Sequence, residues 1–87
     1  MELINVKNQI LGKWKIFDKN LNKTAHYTFD VNFQYITETG DKTAYSISER
    51  NGDIFYTSQE SVEIVGISKK IMVWKKGDSY HLFVKVS

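Results

Sequence analysis

Hydrophobic and polar positions alternate with a period of two along most of this chain, after an opening segment with helical spacing. Apolar residues of that opening segment recur three or four positions apart, at Leu3, Val6, Ile10 and Leu11. This is the spacing of one face of an α-helix. It predicts a short amphipathic helix over residues 2–10, which is stable only if it docks on the rest of the chain.

From Gly12 onward the alternation predicts about eight short strands joined by turns. The predicted strands cover residues 13–18, 24–30, 33–38, 42–48, 54–58, 61–65, 70–75 and 79–86. Residues 19–22 are predicted as a turn and 66–69 as a loop, and Asn51-Gly52 is the strongest hairpin signal. No helical stretch is long enough for a parallel crossover. The pattern therefore predicts an all-β fold, an antiparallel meander barrel preceded by a short helix.

The junction between the helix and the first strand carries the sequence Gly12-Lys13-Trp14. We expect the Trp14 ring to plug one end of the barrel. The glycine lets the chain bend tightly beside that ring, because it has no side chain to obstruct the turn.

Length and composition limit the possible classes of protein. A chain of 87 residues holds one core, so residues 1–87 are predicted to form one domain. There is no cysteine and the net charge is +2, which is too mild to indicate nucleic acid or an anionic membrane. No apolar run is long enough for a membrane span. The polar opening residues do not resemble a signal peptide; the protein is expected in the cytoplasm, or outside it if a signal has been removed.

Large residues are predicted to fill the barrel. Strands of about six residues are near 20 Å long, and an eight-stranded barrel holds packed side chains or one small ligand. The residues expected to point inward, and to line any ligand site, are Trp14, Tyr27, Phe29, Tyr35, Tyr45 and Tyr56. We expect a small cavity or none, with tyrosine hydroxyls as its few polar contacts. A solidly packed core is the alternative.

The final hairpin is apolar on both faces, so both are expected to be at least partly covered. One face would meet the core and the other the helix or a second subunit. We predict a homodimer that uses Met72, Trp74, His81 and Phe83.

Several segments together resemble the bacterial lipocalin-like family of small calycin-type barrels. They are Leu11-Gly12-Lys13-Trp14-Lys15, Tyr27-Thr28-Phe29, Asp30-Val31-Asn32-Phe33, Tyr45-Ser46-Ile47, Val62-Glu63-Ile64, Ile71-Met72-Val73 and Tyr80-His81-Leu82-Phe83. The resemblance implies an eight-stranded barrel that binds a small hydrophobic molecule.

Two departures from the family pattern stand out. Asn32 replaces a glycine, which is tolerable because asparagine can adopt the left-handed conformation. No arginine near the end of the chain is available to stack on Trp14, and Lys85 is the only cation placed to substitute for it. The chain is also much shorter than a full lipocalin, which argues against a deep cup.

Catalytic and metal-binding patterns were sought without success, so we predict no enzyme, no metal and no cofactor. The two histidines, His26 and His81, are most simply ordinary strand residues. A metal set would have to join them to Asp30 or Glu63, which the sequence spacing does not do. No nucleophile elbow and no glycine-rich phosphate loop is present.

A nucleic-acid interface is a further alternative. Lysines cluster around Trp74, at Lys69, Lys70, Lys75 and Lys76. Lysines beside exposed aromatic rings on a small barrel, as in OB-folds, bind single strands by stacking and charge. Lysines are also common at strand ends and turns, where they prevent edge-to-edge association. The sequence therefore favours a non-enzymatic binding barrel, with a homodimeric interaction module second and nucleic-acid binding third.

Overall fold

The computed structural model describes residues 2–18 and 22–86, which form one helix and nine strands. The elements are α1 (Leu3–Gln9), β1 (Gly12–Asp18), β2 (Lys23–Phe29), β3 (Phe33–Ile36), β4 (Asp41–Ala44), β5 (Ser46–Arg50), β6 (Asp53–Thr57), β7 (Ser61–Ile67), β8 (Ile71–Lys76) and β9 (Ser79–Lys85). The predicted all-β barrel with a short N-terminal helix is confirmed. Within the described residues, no helix is long and apolar enough to cross a membrane.

The strands form one antiparallel sheet in the order β4-β3-β2-β1-β9-β8-β7-β6-β5. Strands that follow one another in the chain pair as hairpins, except β4 and β5, and β1 also pairs with β9. β4 and β5 lie at the two edges of the sheet and are separated by Tyr45 alone. Because a single residue carries the chain from one edge to the other, the sheet curls into a nearly closed barrel.

The break at Tyr45 divides the strand that the pattern predicts over residues 42–48. Before the break the chain pairs with β3, and after it with β6. The Tyr45 backbone N–H still donates to the Asn32 carbonyl at 3.2 Å. Alternation of apolar and polar residues continues through such a bend, so the pattern does not reveal a change of partner strand.

β7 is longer than predicted, so the loop predicted at residues 66–69 begins two residues later, at Ser68. The strand reaches Ile67, with a bulge between Ile64 and Gly66. A bulge inserts an extra residue and interrupts the alternation, which is why a glycine inside it looks like a turn. The chain reverses later, where the Ser68 N–H donates to the Ile71 carbonyl at 2.8 Å.

The strongest predicted hairpin turn is confirmed. Asn51 has φ 55° and Gly52 has φ 87°, the pair of positive angles that a two-residue turn between twisted strands requires. The predicted turn at 19–22 lies mostly outside the described residues, although Asn22 has φ 52°.

The helix closes one end of the barrel. Val6 and Ile10 are fully buried and belong to the same apolar cluster as Trp14 and Phe29. Paired strands run in opposite directions, and β5 continues in the direction of β4 through Tyr45. The turns before β2, β4, β7 and β9 therefore lie at the other end. That second end carries no helix among the described residues, and we call it the open end.

The face of the final hairpin that we expected to form a dimer points toward the core instead. Met72, Trp74 and Phe83 are only 0%, 8% and 1% exposed, so they cannot form an outer contact surface. The predicted dimer surface is therefore wrong, and His81 is half-buried. Both faces of the hairpin are apolar, so the sequence pattern does not say which one faces inward.

Candidate ligand-binding site

At the closed end, Trp14 and Lys85 join the helix to the barrel. The Trp14 indole N–H donates to the Ile10 carbonyl at 2.8 Å. The Lys85 ammonium lies 4.5 Å from the centre of the Trp14 ring, so the expectation that this lysine would stack there is confirmed. The same ammonium donates to the carbonyls of Gln9, the last helical residue, and of Leu11, two residues after it. Carbonyls at the end of a helix lack partners within the helix. This end of the barrel is tightly closed.

The barrel wall has a gap between β1 and β9. The two strands pair only at Trp14 with Lys85 and at Lys15 with Val84, and the Val86 N–H donates to the Lys13 carbonyl. Beyond these contacts, residues 16–18 and 79–83 do not pair with each other. The strands separate toward the open end.

A cleft of about 980 Å³ occupies this gap. Inward and outward side chains of both strands line it, among them Ile16 and Phe17 on β1 and Leu82 and Phe83 on β9. One cleft can touch both faces of a strand only where it passes through the wall. It reaches Tyr27, Val62 and Trp74 inside the barrel.

The open end has its own entrance, a cavity of about 620 Å³. Gln34 and Thr43 line one side of this cavity, and Ser58 lines the other. It reaches Tyr27, Val62 and Trp74 as well. The two openings therefore converge on the same interior space, which we call the cup.

A row of aromatic rings, two of its contacts stacked and one tilted, forms the bottom of the cup. Ring centres are 5.3 Å apart between Tyr45 and Tyr56, 4.5 Å between Tyr56 and Trp74, and 4.5 Å between Trp74 and Phe83. Phe29 packs edge-on against three members of the row. These contacts hold the rings in fixed positions, so the bottom of the cup is rigid and mostly apolar.

Two polar atoms in this row have no hydrogen-bond partner. They are the Tyr56 hydroxyl and the Trp74 indole nitrogen, both inaccessible to solvent. Burial raises the pKa of Tyr56 to about 12; the nearby Ser58 offsets only part of this shift and does not complete a hydrogen bond with the hydroxyl. Tyr56 is therefore a neutral hydrogen-bond donor at physiological pH.

The six residues predicted to line a ligand site fall into four groups. Tyr27 and Tyr56 line the cup. Trp14 belongs to the closed end, and Phe29 and Tyr45 pack beneath the cup, where the Tyr45 hydroxyl donates to the Asp30 carbonyl.

Tyr35 is separated from the other five, because it lies on the outer face of the barrel. Its neighbour Gln34 points inward and is buried, so Tyr35 points outward. There the Lys42 ammonium lies 5.5 Å from its ring centre.

Sequence reasoning missed several residues that line the cup, namely Gln34, Val62, Trp74 and Phe83. Trp74 and Phe83 had been assigned to the wrong face of the hairpin. Gln34 is polar, so its residue type does not indicate an inward position. Its orientation follows only from Phe29 and Ile36, which lie on the same face and point inward.

Charged side chains are confined to the rim of the cup. Glu60 and Lys76 form an ion pair of 2.6 Å between the β6–β7 turn and the end of β8. His26 contacts Glu38 at 2.6 Å, and this side-chain hydrogen bond, helped by the His26 backbone N–H, lowers the pKa of Glu38 to about 2. In the described part of the chain, no three His, Asp or Glu side chains converge as metal ligands would.

The four lysines around Trp74 do not form one patch. Lys69 and Lys70 precede β8, whereas Lys75 and Lys76 end it, and a strand of this length separates them by roughly 17 Å. The Trp74 ring between them is buried. The stacking platform that the nucleic-acid interpretation requires is therefore missing from this position.

Comparisons with family models, with curated proteins and with solved structures found no match for this chain. The fold and the site define the molecule instead: an all-β, nearly closed antiparallel barrel with one helix-capped end and one open end. Its interior is reached through the open end and through a gap in the wall.

Proposed function

We propose that this protein binds a small, largely apolar molecule in the cup, without catalysing a reaction. The observation that carries the proposal is the convergence of two openings on one aromatic interior, at Tyr27, Val62 and Trp74. A barrel whose only role was structural would gain stability by filling this space and pairing β1 with β9 along their whole length.

The surroundings of the cup fit such a ligand. Binding sites for small molecules are concave and mostly apolar, with a few polar groups that orient the ligand. Here the rings of Tyr27, Trp74 and Phe83 supply apolar surface, and Gln34 and Ser58 supply polar atoms. The lipocalin-like resemblance of the sequence points to the same class of function.

Native mass spectrometry on protein purified gently from its own source tests the proposal first. A mass excess of a few hundred daltons per chain would support a filled cup, and fragmentation would begin to identify the ligand. The apo mass alone, together with no binding of any apolar dye, would contradict the proposal.

A pair of variants locates the binding. Val62→Trp places a large ring in the cup, because Val62 is buried and lines both openings. Val65→Trp is the matched control, since Val65 lies on the same strand but is exposed. We expect the first variant to lose binding and the second to keep it, with both folded by circular dichroism. Equal binding by the two variants would place the ligand elsewhere.

Contact between two copies of the chain is the second candidate function. It is supported by the exposed apolar side chains of Ile71, Tyr80 and Leu82 on the outer face of the final hairpin. Sedimentation at high micromolar concentration tests it: a dimer that Leu82→Glu converts to a monomer would support it, and a monomeric wild type would exclude it.

A further inference from the structure

Tyr56 and Trp74 present an unusual combination of burial and missing partners. The two residues are only 3% and 8% exposed. The Tyr56 hydroxyl and the Trp74 indole nitrogen have no hydrogen-bond partner. Nearly all buried polar groups in folded proteins are paired. Trp14 illustrates the rule in the same molecule, because its equally buried indole N–H donates to Ile10.

The two unpartnered atoms belong to neighbouring rings, and both of these residues line the cup. The Tyr56 and Trp74 ring centres are 4.5 Å apart, and both residues line the open-end cavity. Neither polar atom is accessible to solvent. A ligand that displaces the side chains around them would exchange two unpaired donors for hydrogen bonds.

Both groups donate hydrogen bonds, which defines what the ligand must offer. An indole N–H is only a donor, and a neutral phenol donates readily to an oxygen acceptor. The ligand therefore needs an acceptor atom such as a carbonyl oxygen.

The acceptor is expected to be uncharged. The charged side chains near the cup lie at its rim, where Lys76 is already paired with Glu60. The burial that raises the pKa of Tyr56 to about 12 also penalises a ligand anion placed beside it, because a charge in apolar surroundings is costly without a partner of opposite charge.

We propose that the cup selects small apolar molecules that carry an uncharged carbonyl oxygen, held by the Tyr56 hydroxyl and the Trp74 indole N–H. This selectivity rests on the proposed function, since it assumes that the cup binds a ligand at all. Binding of such a ligand would explain why the fold buries two hydrogen-bond donors without partners, which packing alone does not explain.

Three probes of similar shape test the selectivity. 2-Acetylnaphthalene carries a ketone, 2-ethylnaphthalene lacks the acceptor, and 2-naphthoate is anionic. After correction for their partition between water and octanol, we expect the ketone to bind about tenfold more tightly than the other two, as one or two well-made hydrogen bonds would give. Equal affinity for the ketone and the ethyl compound would overturn the selectivity while leaving apolar binding intact. Failure of all three to bind would contradict the proposed function itself.

The chain contains its own spectroscopic control. Its two indole N–H groups give two separate nuclear magnetic resonance signals, one paired in the empty protein and one not. On adding the ketone, we expect the Trp74 signal to shift downfield and the Trp14 signal to stay in place. An unchanged Trp74 signal, or the same shift with 2-ethylnaphthalene, would count against a hydrogen bond at this nitrogen.

Conservative variants separate the donors from the packing. Tyr56→Phe and Trp74→Phe each remove one donor and keep an aromatic ring, so each should reduce the ratio of the ketone affinity to the 2-ethylnaphthalene affinity several-fold, because a change in packing alters both affinities together. Tyr45→Phe is the control, because its hydroxyl is already bonded to Asp30 and lines neither opening. An undiminished preference in both donor variants would refute the assignment.

Discussion

Lys85 reaches across the closed end of the barrel to place its ammonium 4.5 Å from the centre of the Trp14 ring. A residue near the end of the described chain thereby holds one near its beginning. The ammonium also binds the carbonyl of Gln9, at the end of the helix, and that of Leu11, between the helix and β1. One side chain therefore connects α1, β1 and β9.

Lys85→Met tests this connection. Methionine keeps an apolar stem but removes the charge, so the cation–π contact and both hydrogen bonds are lost. We expect the free energy of unfolding to fall by about 1–2 kcal/mol, measured by urea denaturation. Lys70→Met, at an exposed lysine in a turn, is the control and should have little effect. Equal stability of the two variants would show that the contact contributes nothing.

Trp14→Ala probes the closed end more severely. The ring is fully buried, so its removal should destabilise the protein by about 3–5 kcal/mol. Thermal unfolding followed by circular dichroism measures the change. An unaltered melting temperature would contradict the plugging role of Trp14.

Tyr56→Phe and Tyr45→Phe each remove one hydroxyl, but we expect them to change the free energy of unfolding in opposite directions. Tyr56 has an unpaired buried hydroxyl, so its removal should stabilise the empty protein by about 1 kcal/mol. The Tyr45 hydroxyl donates to Asp30, so its removal should destabilise the protein by a similar amount. Urea denaturation of the ligand-free proteins checks both. A loss of stability in Tyr56→Phe would indicate that its hydroxyl is satisfied after all.

Acid should weaken the contact between Glu38 and His26. The folded-state pKa of Glu38 is about 2, below its ordinary value of 4.5. A depressed carboxyl pKa stabilises the fold above the ordinary value, and this contribution is lost as the pH falls from about 4.5 to 2. Glu38→Gln should flatten the dependence of the urea midpoint on pH in that window. Glu49→Gln, at an exposed position of β5, is the control and should retain the wild-type slope.

Much of the fold could be predicted where a local signal has a single structural meaning. The positive-φ pair Asn51-Gly52 gave the hairpin turn, and the helical spacing of the first residues gave α1. Gly12, with φ 120°, lies where the chain was expected to bend beside Trp14. These signals depend on backbone geometry or period, which the sequence carries directly.

The candidate site was predicted less completely because its geometry depends on long-range choices. Trp74 and Phe83 lie on a hairpin with two apolar faces, so only the whole barrel decides which face is inside. Tyr35 was placed on the wrong face because the strand register around Gln34 was not apparent from the alternation. The gap between β1 and β9 leaves no pattern in the sequence, since unpaired and paired strands can share the same residues.

That gap also determines how the barrel moves and folds. Among the strands that the structure describes, β1 and β9 form the only pair of elements distant in the chain, so closing this contact requires the largest loss of chain entropy and is expected late in folding. In the native protein the same short seam should be the first to open, exposing the backbone amides of Lys15 and Val86 to hydrogen exchange before those of the hairpins. Each such opening widens the side entrance to the cup while the other strand pairs stay intact, so access for a ligand depends on the least stable part of the ladder.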